Sequence, residues 1–196
     1  MTAALRVFSQ QGYERASVDE IAAEAGVAKP TIYNHFGTKE QLFRDVLIGV
    51  ALRFNAQSLA VLESVPALTD DLSDALFQIA RKMVGCINNE ETRSLRRLLN
   101  AEIVQFPDLN DMMQAKAAMP MIEALAGRLA RLAHAGYLDI DDPIEAAGEL
   151  LALTSHELPT LSALGTRPIP QDELDRVVHR GVNTFLRAFA SDRCRG

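Results

Sequence analysis

The chain has 196 residues, of which 48% are hydrophobic and 23% charged. That balance excludes a largely disordered protein and suits one or two domains. The formal net charge of −6 excludes a globally basic nucleic-acid binder, so any contact with nucleic acid has to come from a local patch.

A chain of this size can bury enough surface to fold without a disulfide or metal staple. Cys86 and Cys194 have no metal-ligand spacing and read as free thiols of a reducing cytoplasm. No cofactor is expected. The longest apolar stretch, 46–52, is too short to span a bilayer. Charge and turn residues interrupt the N-terminus before a signal sequence could form, so no membrane partner is expected. There is no Trp, aromatics make up 6%, and runs of alternating β-branched residues are missing. The fold class is therefore all-α.

Residues 2–11 are predicted as a first helix carrying Leu5, Val7 and Phe8 and ended by Gly12. Residues 17–25 follow, then Gly26 and a second short helix over 29–36. Thr38 opens a long helix that reaches about Glu63 and is stopped by Pro66. Helices over 70–87 and 90–104 come next. The stretch 107–135 is helical but holds Pro120, which should kink or split it. Residues 136–142 form a linker. Helices over 143–164, distorted by Pro159, and over 171–190 complete the chain.

The segment 17–36 is the most informative. Ser17-Val18-Asp19-Glu20 fits a capping box. Ile21, Ala22 and Ala25 form a stripe of mostly small residues that lets a second helix approach closely. Gly26 ends the helix with a predicted positive φ. Ile32 and Phe36 give the next helix its inward face. Two short helices joined by a tight Gly-containing turn describe a helix-turn-helix at about 17–36, although a plain pair of helices in any all-α domain has the same outline. The outward residues favour the first description. Lys29, Thr31, Tyr33, Asn34 and His35 crowd onto the second helix and Lys39 opens the next. Lys29, Thr31 and Asn34 suit base edges or phosphates; Tyr33, His35 and Lys39 suit phosphate oxygens. Residues 1–48 nevertheless carry five basic and six acidic side chains, so binding has to rest on placement and on two copies.

Phe8-Ser9-Gln10-Gln11-Gly12-Tyr13, Ser17-Val18-Asp19-Glu20-Ile21-Ala22, Ala25-Gly26-Val27, Thr31-Ile32-Tyr33-Asn34-His35-Phe36 and Lys39-Glu40-Gln41-Leu42 together resemble the start of the TetR family of bacterial transcriptional regulators. The motifs cover about the first quarter of the chain. The resemblance implies a three-helix DNA-binding domain over 1–48, a larger helical effector-binding and dimerisation domain over 49–196, and a homodimer on a palindromic operator. Carried over by position, it implies DNA contacts from Ser17, Lys29, Pro30, Thr31, Tyr33, Asn34, His35 and Lys39. Arg96-Arg97-Leu98-Leu99-Asn100-Ala101-Glu102 and Phe106-Pro107-Asp108-Leu109 resemble the C-terminal domain of AefR-like members. Two features depart from the family pattern. Ala28 stands where a Ser or Thr N-cap is usual, a loss of ~1 kcal/mol that Pro30 partly offsets in the first turn. The family's first helix also begins earlier, with a basic arm ahead of the segment matching Ala3-Ala4-Leu5; a misassigned start, a shortened chain or a member without the arm are the readings of that difference.

For the effector, the candidate lining is Phe77, Met83, Phe106, Met113 and Met121, with Arg97 and Glu102 orienting a polar group of a mostly apolar small molecule. The methionines also fit ordinary core packing, and Arg97 with Glu102 also fits a structural ion pair. Leu174, Val178, Val182, Phe185 and Phe189 form an apolar face on the last helix. The resemblance makes it a dimer contact within a four-helix bundle built from 143–164 and 171–190 of each subunit; in a monomer it would pack inside. The function expected is a ligand-responsive repressor rather than an enzyme, with a helical ligand carrier or enzyme bearing an incidental helix-turn-helix as the alternative.

Overall fold

The computed structural model describes residues 1–64 and 71–192. The features expected at Pro66, Asp70 and Cys194 lie outside the described residues. Those described form eleven α-helices and one π-helical turn, with an isolated bridge between Leu138 and Ala190 as the one extended pairing among them.

Helix α1 (Thr2–Arg15) is broken at Gly12, whose φ of 79° and ψ of 170° are non-helical, and one further turn follows. Helix α2 (Val18–Ala25) starts on the expected capping box. Ser17 Oγ accepts from the Glu20 amide at 3.1 Å, and the Ser17 amide donates back to Glu20 Oε2 at 3.3 Å. Gly26 closes the helix at φ 66°, the left-handed conformation that costs glycine least. Helix α3 (Lys29–Phe36) has no side-chain cap on Ala28, and Pro30 stands in its first turn, where the missing N–H is harmless. Helix α4 (Lys39–Ser64) is capped by Thr38, whose Oγ1 accepts from the Gln41 amide at 3.0 Å.

The remaining helices are α5 (Leu72–Asn88), α6 (Glu90–Glu102), α7 (Asp108–Met113), α8 (Met119–His134), α9 (Pro143–Ser155), α10 (Leu158–Leu161) and α11 (Gln171–Phe189). Pro120 does split the stretch predicted as 107–135. It occupies the first turn of α8, and the turn before it, Gln114–Ala118, winds as a π-helix. A proline cannot donate to the carbonyl four residues back and its ring crowds that group. The Lys116 carbonyl is instead taken by the Asn55 side-chain amide from α4.

Two apolar cores result. The first joins Leu5, Phe8, Ile21, Ile32, Phe43 and Leu47. It does not stop at the end of the helix-turn-helix, because Leu95 and Leu98 of α6, Phe106, and Leu109 of α7 belong to it. Phe8 meets Phe43 edge to face at 5.1 Å, and Tyr13 meets Phe106 likewise at 4.9 Å. The second core joins α5, α8, α9 and α11 through Leu76, Ile79, Met83, Leu125, Leu129 and Phe185. Helix α4 spans both cores. At 26 residues it is long and apolar enough to cross a membrane, but Leu42, Phe43, Val46, Leu47, Val50 and Phe54 are all buried in protein, as befits a central core helix.

The reading of the α11 apolar face as a dimer contact is corrected. Leu174, Val178, Val182 and Phe185 are at most 2% exposed within the single chain, and Phe189 is half-buried against Phe185 at 4.7 Å. The face is satisfied by α5 and α9 of its own protomer. Its contact with α9 is so close that a Cβ at Gly181 would stand 2.6 Å from the Leu153 carbonyl oxygen and 2.8 Å from Thr154 Cγ2. Gly181→Ala is therefore expected to destabilise the chain by ~1–3 kcal/mol, the range for overpacking. Thermal denaturation followed by circular dichroism checks this; an unchanged midpoint would contradict the tight seam.

Candidate functional site

Two regions make up the candidate site. The first is the exposed face around α3. Ile32 is buried beneath the helix, while Lys29, Pro30, Thr31, Tyr33, Asn34 and His35 are exposed and Ser17 and Lys39 are half-buried. Phe36, half-buried, packs on the first core beside it, so two inward positions in eight support a short helix otherwise presented to solvent. Lys29 Nζ donates to Asp19 Oδ2 at 2.8 Å, and that hydrogen bond raises its pKa. Both groups are exposed, so an incoming anion displaces Asp19 at small cost. Lys39 Nζ donates to the Glu14 carbonyl at 3.0 Å and lies 4.6 Å from the centre of the Tyr13 ring. Lys39 is thus anchored between α1 and α4, oriented rather than freely swinging. The Tyr13 hydroxyl is pushed above its ordinary pKa by burial and then by the nearby Glu40 and Glu14 carboxylates, so it remains a neutral donor.

The second region is a cavity of about 390 Å³ bounded by α4, α6, α7, the π-helical turn and α8. Helix α4 contributes Ala51 and Phe54. Helix α6 contributes Thr92, Leu95, Arg96, Leu99 and Asn100, and Ile103 follows at its C-cap. Leu109, Asn110 and Met113 of α7, Gln114, Ala117 and Ala118 of the π-helical turn, and Met121 of α8 complete the wall. Its size and largely apolar lining with a few polar groups suit a small organic ligand. The π-helical turn that Pro120 imposes makes part of this wall, a place where such turns recur in functional sites.

Of the seven residues expected to line the site, the cavity contains Met113 and Met121. The other five lie outside its wall. Met83 is 1% exposed in the second core. Phe77 stacks on His179 with ring centres 3.7 Å apart, on the α5–α11 side. Phe106 closes the first core against Tyr13 and Phe43. Arg97 is consumed structurally, donating to the Gly165 carbonyl at 2.6 Å and to Ser94 Oγ at 2.8 Å. Glu102, buried at the end of α6, accepts from the Tyr13 amide at 2.8 Å and ties α6 to α1. Glu102 also crowds Gly12, where a Cβ would lie 3.2 Å from its Oε1.

Arg96, one residue from the position expected, is the charged residue in the cavity wall. It is half-buried and burial lowers its pKa, with no carboxylate contributing. The signal was in the helical phase of α6. Thr92, Arg96, Leu99 and Ile103 follow i, i+4, i+7 and i+11 and share one stripe, whereas Glu90, Ser94 and Arg97 follow i, i+4 and i+7 on another.

The cavity and the α3 face are mechanically joined. Helix α4 begins at Lys39 beside α3 and passes the cavity at Ala51 and Phe54. Arg44 near its start is held by Asp108 of α7 at 2.5 Å and by Glu40 at 2.9 Å. The Arg44 guanidinium keeps the Asp108 carboxyl below its ordinary pKa. Arg53 pairs with Glu91 of α6.

A helix-turn-helix carried on a rod that also walls a ligand-sized cavity defines a DNA-binding regulator class, and the comparisons with known proteins agree. Residues 1–46 match the model of bacterial regulatory proteins of the tetR family, and residues 74–191 match that of the AefR-like transcriptional repressor C-terminal domain. A crystal structure from Mesorhizobium loti MAFF303099, described as a TetR-family regulator, is similar at TM-score 0.87 and 29% identity, covering 96% of this chain and 94% of that one. The flavonoid-responsive regulator FrrA is similar at TM-score 0.71 and 30% identity, with the same coverage. The HTH-type transcriptional regulator YezE of Bacillus subtilis is 28% identical over 104 residues, 53% of this chain and 52% of that protein. The chain spans about half the length of curated relatives such as YezE and, at 59%, TcmR of Streptomyces glaucescens. The chain belongs to the TetR family.

Proposed function

We propose that the chain is a ligand-responsive repressor that binds a palindromic operator as a homodimer in the cytoplasm and is released by a small, mostly apolar effector. The observation that carries this reading is the double role of α4, which packs the helix-turn-helix at one end and walls the cavity further along. From Lys39 to Ala51 the helix runs roughly 18 Å at 1.5 Å per residue. A ligand that favours one tilt of α4 shifts the population toward it and moves both recognition helices relative to half-sites about one DNA turn apart. The division into a DNA-binding domain over 1–48 and an effector domain over 49–196 places this rod across the boundary. The AefR-like repressor match and the flavonoid-responsive relative support both the sign of regulation and an effector of this kind.

DNA contacts are assigned to Ser17, Lys29, Pro30, Thr31, Tyr33, Asn34, His35 and Lys39. For the dimer, the 143–164 half of the expected bundle is kept and the contact is assigned to the outer stripe of α9 rather than to the buried α11 face. Ile144, Gly148 and Leu151 follow i, i+4 and i+7 there, and Ile144 is 43% exposed.

A gel shift or footprint on DNA flanking the protein's own gene tests the reading. Lys39→Ala is expected to weaken binding to all sequences alike and to reduce the salt slope by about one counterion, because a phosphate contact carries no base information. Changes at Asn34 are expected to alter sequence preference instead. Full operator affinity at physiological salt in the Lys39→Ala, Tyr33→Phe double variant would overturn the assignment.

A further inference from the structure

The cavity offers one charge. Its wall is Ala, Leu, Ile, Met and Phe side chains with Thr92, Asn100, Asn110 and Gln114 as neutral polar groups, and Arg96 is the ionisable residue among them. The other arginines of α4 and α6 are engaged elsewhere. Arg97 is bound to Gly165, Ser94 and Glu90; Arg53 is paired with Glu91; Arg44 is paired with Asp108 and Glu40. Arg96 forms no hydrogen bond or ion pair among the described residues. A half-buried guanidinium without a counter-charge is poorly solvated, and its five donors in a planar fork match a carboxylate held by two parallel bonds.

We propose that the cavity takes an organic acid, a ligand with an apolar body lying against Phe54, Leu99 and Met121 and one anionic group paired with Arg96. The proposal rests on the reading of this cavity as the effector site and adds the chemical class of the effector. The apolar wall takes the body without orientation. The anion fixes which end of the ligand meets α6, and neutral polar neighbours satisfy the carboxylate lone pairs that Arg96 leaves open. An acid is favoured over its neutral analogue because the analogue would leave the guanidinium both desolvated and unpaired.

The test is isothermal titration of the full chain at neutral pH with two matched pairs, dodecanoic acid against dodecanol and naphthoic acid against naphthol. The pairs separate a flexible aliphatic body from a planar aromatic one. For whichever body fits, the acid is expected to bind the wild type at least about tenfold tighter than its alcohol, as a charge-assisted pair contributes. Arg96→Gln is expected to weaken the acid selectively and bring the two together, and Arg96→Lys to retain part of the preference. Equal binding of acid and alcohol by the wild type, or a preference that survives Arg96→Gln, would overturn the proposal. Should Arg96→Gln fail to fold, the wild-type ratio and Arg96→Lys still decide. Ala117→Phe, which fills the cavity, separates the two readings. If it abolishes alcohol binding while the wild type shows no acid preference, the cavity is the site and the anion assignment is wrong. If it leaves binding intact, or no probe binds the wild type, the cavity reading itself fails.

Discussion

Phe185→Glu is expected to unfold the α5–α8–α9–α11 half of the chain. Phe185 is fully buried within one protomer and packs on Phe189. Truncating such a side chain costs ~3–5 kcal/mol, and a carboxylate in its place adds the cost of burying an unpaired charge. Together these approach the whole stability of a small domain. The apolar periodicity of α11 alone allows the opposite outcome, a folded monomer released from a dimer, because an amphipathic face is the same signal whether it meets its own chain or a partner. Ile144→Glu discriminates. It lies on the outer stripe of α9 and is expected to leave the melting midpoint nearly unchanged while shifting the mass in light scattering from dimer to monomer. A folded, monomeric Phe185→Glu protein would contradict both the burial and the proposed interface.

The difference shows what was legible in the sequence. Local signals translated directly into structure: the Ser17–Glu20 capping box, the left-handed Gly26, the first-turn Pro30 and the break before Pro120 all stand where the residues indicated. These features depend on neighbours within one or two turns. Gly12 was legible as a break but not as a point from which one further turn resumes. That turn is held by a partner 89 positions away in sequence, Glu102 on the Tyr13 amide.

The candidate ligand site was the least legible for the same reason. Met83, Phe77 and Phe106 have the right chemistry for a cavity wall, yet where the two α5 side chains and the Phe106 between α6 and α7 come to lie is set by how α5, α6 and α7 pack. Arg96 and Arg97 have the same chemistry at adjacent positions. Only the stripe they share with their own helix neighbours separates the cavity residue from the structural one. The π-helical turn combines both kinds of information: Pro120 announces a disturbed helix, but the Asn55 amide that satisfies the orphaned Lys116 carbonyl comes from α4.

Occupation of the cavity is expected to lower operator affinity, and operator binding to lower ligand affinity by the same factor, since the coupling is one free energy seen from two sites. Couplings of this kind are ~1–3 kcal/mol, roughly 5–150-fold. Two connections are available to carry it. One is α4, which the ligand touches at Ala51 and Phe54 and which ends at Lys39 beside α3. The other is α6, which lines the cavity and whose terminal Glu102 holds the Tyr13 amide, with the Tyr13 ring beneath Lys39. Glu102→Ala cuts the second connection and leaves a half-buried amide unpaired, at a stability cost of ~1–3 kcal/mol. Because Glu102 is not in the cavity wall, ligand affinity in the absence of DNA is expected to stay within about twofold, while the ligand-induced loss of operator affinity shrinks toward that carried by α4 alone. Titrating the tightest of the acid and alcohol probes against a preformed protein–DNA complex, for wild type and Glu102→Ala, measures both factors. A ligand that binds tightly and leaves the wild-type complex intact would refute induction through this cavity. An undiminished coupling in Glu102→Ala would assign the whole transmission to α4.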